Sequence, residues 1–237
     1  VPAAAPGFTI GCYTRPWAEH DPVVALDAIA AAGYKYAGLM TAKGGTTVLP
    51  ATPPEKVEAL AAAARQRGLG IVSIWGGDFL VPKSPADSIA RLRRLIDHCV
   101  ICGCPNLLLG GTGKADLVGP YYQTVKECCD YAASQGVALT VKPHGGTNST
   151  GPECRKLIEQ VGHKNFRLWY DPGNIFYYSD GKRNPVDDAA TVDGLVAGMS
   201  VKDFLPPKEV MITPGTGQVD FRQVLAKLRA GVIMTSL

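Results

Sequence analysis

A chain of 237 residues with 46% hydrophobic and 19% charged residues is ordinary for a globular protein and long enough for one large core, so a single α/β domain is the economical expectation. The net charge of +3 is small, and no dense Lys/Arg run is interleaved with aromatics, which argues against nucleic acid as a partner. No apolar stretch approaches the roughly 18 residues that would cross a bilayer, so no membrane partner is expected either.

Residues 1–7, VPAAAPG, read as an N-terminal tail, either the remnant of a removed signal peptide or an arbitrary boundary, so cytoplasmic and exported locations both stay open. Phe8–Cys12 is a short apolar run that predicts the first strand, followed by a loop holding Tyr13. Asp21-Pro22 has the form of an N-cap with proline in the first turn, and the Ala-rich stretch behind it predicts a helix to Ala32 that stops at Gly33. Tyr36–Met40 is the second predicted strand, Glu55–Gln66 a helix, and Gly70–Trp75 the third strand. Ile89, Leu92, Leu95, Ile96 and Cys99 recur three and four residues apart, as in an amphipathic helix beginning near Pro85.

Asn106–Leu109 is the fourth predicted strand, ending in Gly110-Gly111-Thr112-Gly113. That loop lacks both the spaced Lys-Ser/Thr of a phosphate cradle and the full dinucleotide fingerprint, so nucleotide binding is not expected. A helix over Tyr121–Ser134 leads to the stretch Val137–Gly146, VALTVKPHGG. Alternation there puts Val137, Leu139 and Val141 on one side and Thr140, Lys142 and His144 on the other. Asn148-Ser149-Thr150 forms a glycosylation sequon, relevant only in a glycosylating secretory pathway. A helix over Pro152–Val161, a strand over Phe166–Tyr170, a helix over Val186–Val192, a strand over Gly194–Val201 and a helix over Asp220–Leu228 follow, with Gly231–Leu237 as an eighth strand.

Seven cysteines are an odd number, which argues against a complete disulfide framework. Cys99 and the Cys128-Cys129 pair fall inside apolar helical patterns, so buried thiols are expected rather than a structural zinc site.

Repeated strand–helix units of about 30 residues, each with polar residues after its strand, predict a (β/α)8 TIM barrel over residues 8–237, shortened at its C-terminal end, with the site on the C-terminal rim of the strands. Four motifs lie on or after the last three full strands: KPHGG at 142–146, YDPGN at 170–174, VKDF at 201–204 and PGTGQVDF at 214–221. In this order and at these distances they resemble the sugar phosphate isomerase/epimerase family with the xylose-isomerase-like barrel, over roughly Phe8 to Leu228. The resemblance implies a divalent metal in the barrel mouth and proton transfer next to the carbonyl of a small carbohydrate or sugar phosphate.

Position by position, however, the implied metal ligands are mostly replaced. The family's strand-five Glu falls on Lys142, its Asp on Asp171 and its strand-seven His on Ser200, and no Glu follows Asp220. An ammonium repels a divalent cation where a carboxylate would attract it, so metal binding is expected to be weak or absent, with Asp171 and His144 the remaining ligand candidates. Lys142, His144 and Asp171 are the expected catalytic residues, His144 as proton carrier and Lys142 as ion-pair partner of Asp171, anion binder or base. Tyr13, Trp75, Asn174, Lys202 and Asp203 are expected to contact a sugar, with Asp203 also a candidate to orient Lys202. A lyase or hydrolase acting on an oxidised sugar, or a barrel that binds a sugar or another protein without catalysis, fits the same residues. Because the sequence stops where an eighth helix is due, an exposed apolar groove covered by a second copy is also expected.

Overall fold

Short parallel strands alternate with helices throughout the computed structural model, which describes residues 8–229. In chain order the elements are β1 (Cys12–Tyr13), α1 (Pro22–Ala31), β2 (Tyr36–Leu39), β3 (Thr41–Ala42), β4 (Gly45–Thr46), α2 (Pro54–Gln66), β5 (Gly70–Trp75), α3 (Pro85–Cys102), β6 (Asn106–Leu109), α4 (Val118–Ser134), β7 (Ala138–Val141), α5 (Gly151–Val161), β8 (Phe166–Tyr170), α6 (Pro172–Tyr178), α7 (Pro185–Ala190), β9 (Val196–Met199) and α8 (Phe221–Arg229).

Local chemistry sets most helix starts. Asp21, Ser84, Asp171 and Asn184 each accept a hydrogen bond from a backbone N–H of the first turn, and each is followed by proline, which lacks the donor that position would leave unpaired. Thr150 and Glu153 form a reciprocal capping box on α5. Gly103 and Gly162, both left-handed, close α3 and α5, a conformation that a side chain would strain.

The chain divides into two compact units. Among the described residues the first holds 8–108 and 130–138. Here β1 pairs with β2, β2 with β5 and β5 with β6, all in parallel, while β3 and β4 form a small antiparallel ribbon. Leu26 and Ile29 of α1, Leu39 of β2, Ile74 of β5 and Leu92, Leu95 and Ile96 of α3 are buried in its core. The spacing of the α3 residues is the one expected from sequence, and each such side chain contributes about 1.5–3 kcal/mol by leaving water.

The second unit holds 109–129 and 139–229. β7, β8 and β9 run parallel, with Leu139 opposite Phe166 and Leu168 opposite Val196. Its core gathers Val141, Leu168, Tyr170, Ile175 and the α5 residues Cys154, Leu157, Ile158 and Val161.

Three differences from expectation have local causes. Only Cys12–Tyr13 pair with β2 in the first strand, and Phe8 and Ile10 are 43% and 65% exposed, so their apolar character does not mark a core strand. The helix expected over Val186–Val192 runs Pro185–Ala190, started by the Asn184 cap. α6 is absent from the expected elements; the Asp171 cap and Pro172 start it despite Gly173 in its first turn. The expected eighth strand, Gly231–Leu237, and the tail at 1–7 lie outside the described residues.

Candidate functional site

The last hydrogen bonds of β7 aim the first polar side chain inward. Lys142 N–H donates to Leu109 C=O at 3.0 Å, continuing the strand pairing by one residue. The Lys142 C=O in turn accepts from Asn148 Nδ2 at 2.7 Å, fixing the residue from both sides. Its side chain turns into the protein, leaving the residue only 5% exposed, and its Nζ lies 2.7 Å from Oδ2 of Asp171, which is 0% exposed. The approach lacks the alignment of a hydrogen bond, so charge is what holds the two together. Asp171 Oδ1 is occupied separately, accepting from Asn174 N–H at 2.9 Å as the N-cap of α6.

Asn174 carries the network further. Its Nδ2 donates to Pro143 C=O at 2.6 Å and its Oδ1 accepts from Lys202 Nζ at 2.6 Å, so one buried amide joins the residue after Lys142 to the loop behind β9. Gly173 makes this closeness feasible: a Cβ there would lie 2.8 and 2.9 Å from the carbonyl oxygens of Lys202 and Asp203.

His144, two residues past Lys142, is exposed. Its N–H donates to Asn148 C=O at 3.0 Å. Nδ1 lies 3.2 Å from the Tyr178 hydroxyl, and the two rings meet edge to face with centroids 5.8 Å apart. Gly145, at φ +87°, lets the Tyr178 ring approach, since a Cβ there would be 2.7 Å from it.

Lys142, Asp171, Asn174 and Lys202 therefore form one continuous set of contacts, and His144 stands beside it on the same loop. Asp203 does not join them as a ligand contact. It is fully buried, and its two oxygens accept the backbone N–H groups of Phe204, Val219, Gly215 and Gly217 at 2.8–3.0 Å. Burial alone would raise its pKa, but these donors together outweigh that and hold it below the usual carboxylate range. Sequence reasoning gave Asp203 to a sugar or to Lys202; it instead folds the 213–219 loop. Tyr13 and Trp75 belong to the first unit, where the Tyr13 ring lies across Gly38 and Trp75 ends β5 half-buried.

Asn148 and Tyr178 take part in this arrangement without being among the expected site residues. Asn148 is fully buried and its Nδ2 also donates to Gly110 C=O at 2.9 Å, so the sequon nitrogen is closed to glycosylation in the folded chain. Thr147 Oγ1 donates to Thr112 C=O at 2.8 Å, which makes the glycine-rich 110–113 loop a packing surface for the 145–148 turn. Tyr178 is reached from Asn174 by four residues along one face of α6.

A divalent metal does not fit this donor set. Among the described residues no three His, Cys, Asp or Glu side chains lie close enough to share an ion. The Lys142 ammonium stands against Asp171, and Ser200, where the family pattern carries His, accepts from Trp169 Nε1 at 3.3 Å.

A model of the xylose isomerase-like TIM barrel family matches residues 26–233. The chain belongs to that family. Its fold is accordingly the α/β TIM barrel that the strand–helix pattern predicts. Solved structures agree on this fold. One is a xylose isomerase-like TIM barrel protein from Mycobacterium smegmatis in complex with magnesium, 17% identical, with a TM-score of 0.75 over 94% of this chain and 87% of that one. Another is a xylose isomerase domain protein from Planctomyces limnophilus, 18% identical, with a TM-score of 0.70 over 96% and 88%. A third is 3-keto-D-glucoside 4-epimerase from E. coli, 15% identical, with a TM-score of 0.69 over 95% and 88%. A comparison with curated proteins gave no match.

Proposed function

We propose that this chain acts on a small carbohydrate as an isomerase or epimerase, moving a proton next to a carbonyl without a divalent metal. The observation that carries the reading is the joined set Lys142–Asp171–Asn174–Lys202 with His144 beside it, on the strand ends of a barrel whose structural neighbours include sugar epimerases. Abstracting such a proton needs a base that titrates near neutrality and positive charge near the oxygen that becomes anionic. His144 is the base. The C–H bond breaks, its proton goes to the imidazole, and the electron pair moves through the carbon–carbon bond onto the carbonyl oxygen. For the isomer the imidazolium returns its proton to the former carbonyl carbon while the proton of the neighbouring hydroxyl passes to the oxyanion, leaving the new carbonyl; for the epimer the imidazolium gives its proton to solvent and a water protonates the opposite face of the same carbon. Lys142, pinned by Asp171, supplies a fixed positive charge at the position where relatives carry a metal-binding carboxylate. Lys202 and Asn174 bind sugar hydroxyls or a phosphate.

The test is proton exchange. Ketoses, aldoses and their phosphates are incubated with the protein in D2O containing a chelator, and deuterium at the carbon beside the carbonyl is followed by NMR. Incorporation into at least one sugar is expected, falling by about a hundredfold or more in His144→Ala. A second reading, sugar binding without turnover, is favoured by one feature: Lys142 and Asp171 neutralise each other with side-chain exposures of 7% and 0%, leaving no carboxylate as base. Sugar binding that is lost in Lys202→Ala, with no exchange in any sugar, would establish that reading and overturn the first.

A further inference from the structure

We infer that Tyr178 is a positioning residue that fixes the tautomer of His144, its phenolic oxygen accepting a hydrogen bond from Nδ1–H so that Nε2 is the nitrogen that exchanges protons. The inference deepens the proposed function and rests on it for the direction of the hydrogen bond. Two contacts meet the imidazole and a third holds its backbone. The Tyr178 hydroxyl is 3.2 Å from Nδ1, its ring meets the imidazole at 78°, and the backbone N–H of His144 is held by Asn148 C=O at 3.0 Å. The tyrosine is itself seated closely, because its ring occupies the space a Cβ of Gly145 would fill, 2.7 Å away.

A neutral imidazole carries one N–H, and the partner of one nitrogen decides which atom holds it. A phenolic oxygen both donates and accepts, so the 3.2 Å contact is compatible with either tautomer. Only one of them suits a base. With Nδ1–H donated to Tyr178, Nε2 keeps its lone pair, and after it takes a proton the Nδ1–H bond to tyrosine is unchanged. The ring then cycles between neutral and charged forms without turning or exchanging partners, which is what positioning contributes. In the opposite tautomer Nε2 is already protonated and the first proton abstraction has no acceptor.

The spectroscopic signature of the imidazole tests this without any sugar. In protein labelled with 15N in its histidine rings, the nitrogen shifts at pH 8 report the tautomer, and His144→Asn identifies the resonances among the four histidines. The wild-type His144 ring is expected mainly as the Nδ1–H form. Tyr178→Phe keeps the ring that packs on Gly145 and removes only the hydroxyl, and it should move the Nδ1–H to Nε2–H ratio about fivefold toward Nε2–H, the equivalent of one ordinary hydrogen bond. A wild-type ring mainly in the Nε2–H form, or a ratio unchanged in Tyr178→Phe, would overturn the inference. The wild-type spectrum decides by itself if the variant does not fold. The exchange assay in D2O fails or succeeds independently, so loss of the proposed function and loss of this inference are separable.

Discussion

A buried ammonium against a buried carboxylate makes each residue dependent on the other. Lys142→Ala would leave the Asp171 carboxylate, fully buried, without its counter-charge, and a cost of about 3–5 kcal/mol is expected in urea unfolding. Lys142→Glu should do something different. It places a second carboxylate beside the first and restores the attraction that a divalent cation needs, so manganese or magnesium should raise the thermal midpoint of this variant and not that of the wild type. No shift in the variant would mean that Ser200, hydrogen-bonded to Trp169, already suffices to abolish the site. Asp203 makes a prediction with a sign. Its folded pKa is held below the usual range, so its contribution is present above the ordinary carboxylate value of about 3.9 and is lost as pH falls through the lower folded value. Asp203→Asn, which turns an N–H2 toward backbone donors, should cost at least about 2 kcal/mol at pH 7 and correspondingly less in strong acid, as measured by denaturant titration at both pH values.

Among the elements, α6 matters most to the site and was the least legible. Asp171-Pro172 has the same cap-and-proline form as Asp21-Pro22, yet Gly173-Asn174 behind it suggests a turn, and a helix of seven residues offers little periodicity to correct the impression. Once α6 is missed, so is Tyr178, which depends on it for its place near His144. Lys142, Asp171, Asn174 and Lys202 were legible because polar residues at the ends of parallel strands read as a rim whatever the helices do. Asn148 was not, since its partners Gly110 and Lys142 are brought together only by the folded strands. Asp203 was misread for a related reason: a carboxylate after a strand looks the same in sequence whether it faces a ligand or backbone amides. The seating of α6 can be measured. Gly173→Ala would drive a methyl to 2.8 Å from Lys202 C=O, and a loss of about 1–3 kcal/mol is expected, lowering the thermal midpoint by about 2–4 °C per kcal/mol.

At the scale of the whole molecule, the thiols report on how well the two units exclude water. Six of the seven cysteines are buried and Cys12 is half-exposed. Burial pushes Cys102 up to about 12 and raises Cys99 and Cys154 as well, so their reactive thiolate forms are scarce. A thiol reagent at pH 8 should therefore label at most Cys12 within minutes in the native protein and all seven cysteines in guanidinium. Rapid labelling of more than one thiol in the native state would show that the buried clusters open readily. The expectation of buried thiols came from the helical spacing of Cys99 and Cys128-Cys129, and all three are buried.

The Lys142–Asp171 pair also bears on how such a sequence can change over generations. Replacing either residue alone strands a charge away from water, and replacing Lys142 by an acid without a cation sets two carboxylates against each other. Neither intermediate is neutral for folding. Lineages that carry the pair are thereby held to it, and among homologous sequences the two positions are expected to switch together, with Lys found at the first only where Asp or Glu remains at the second.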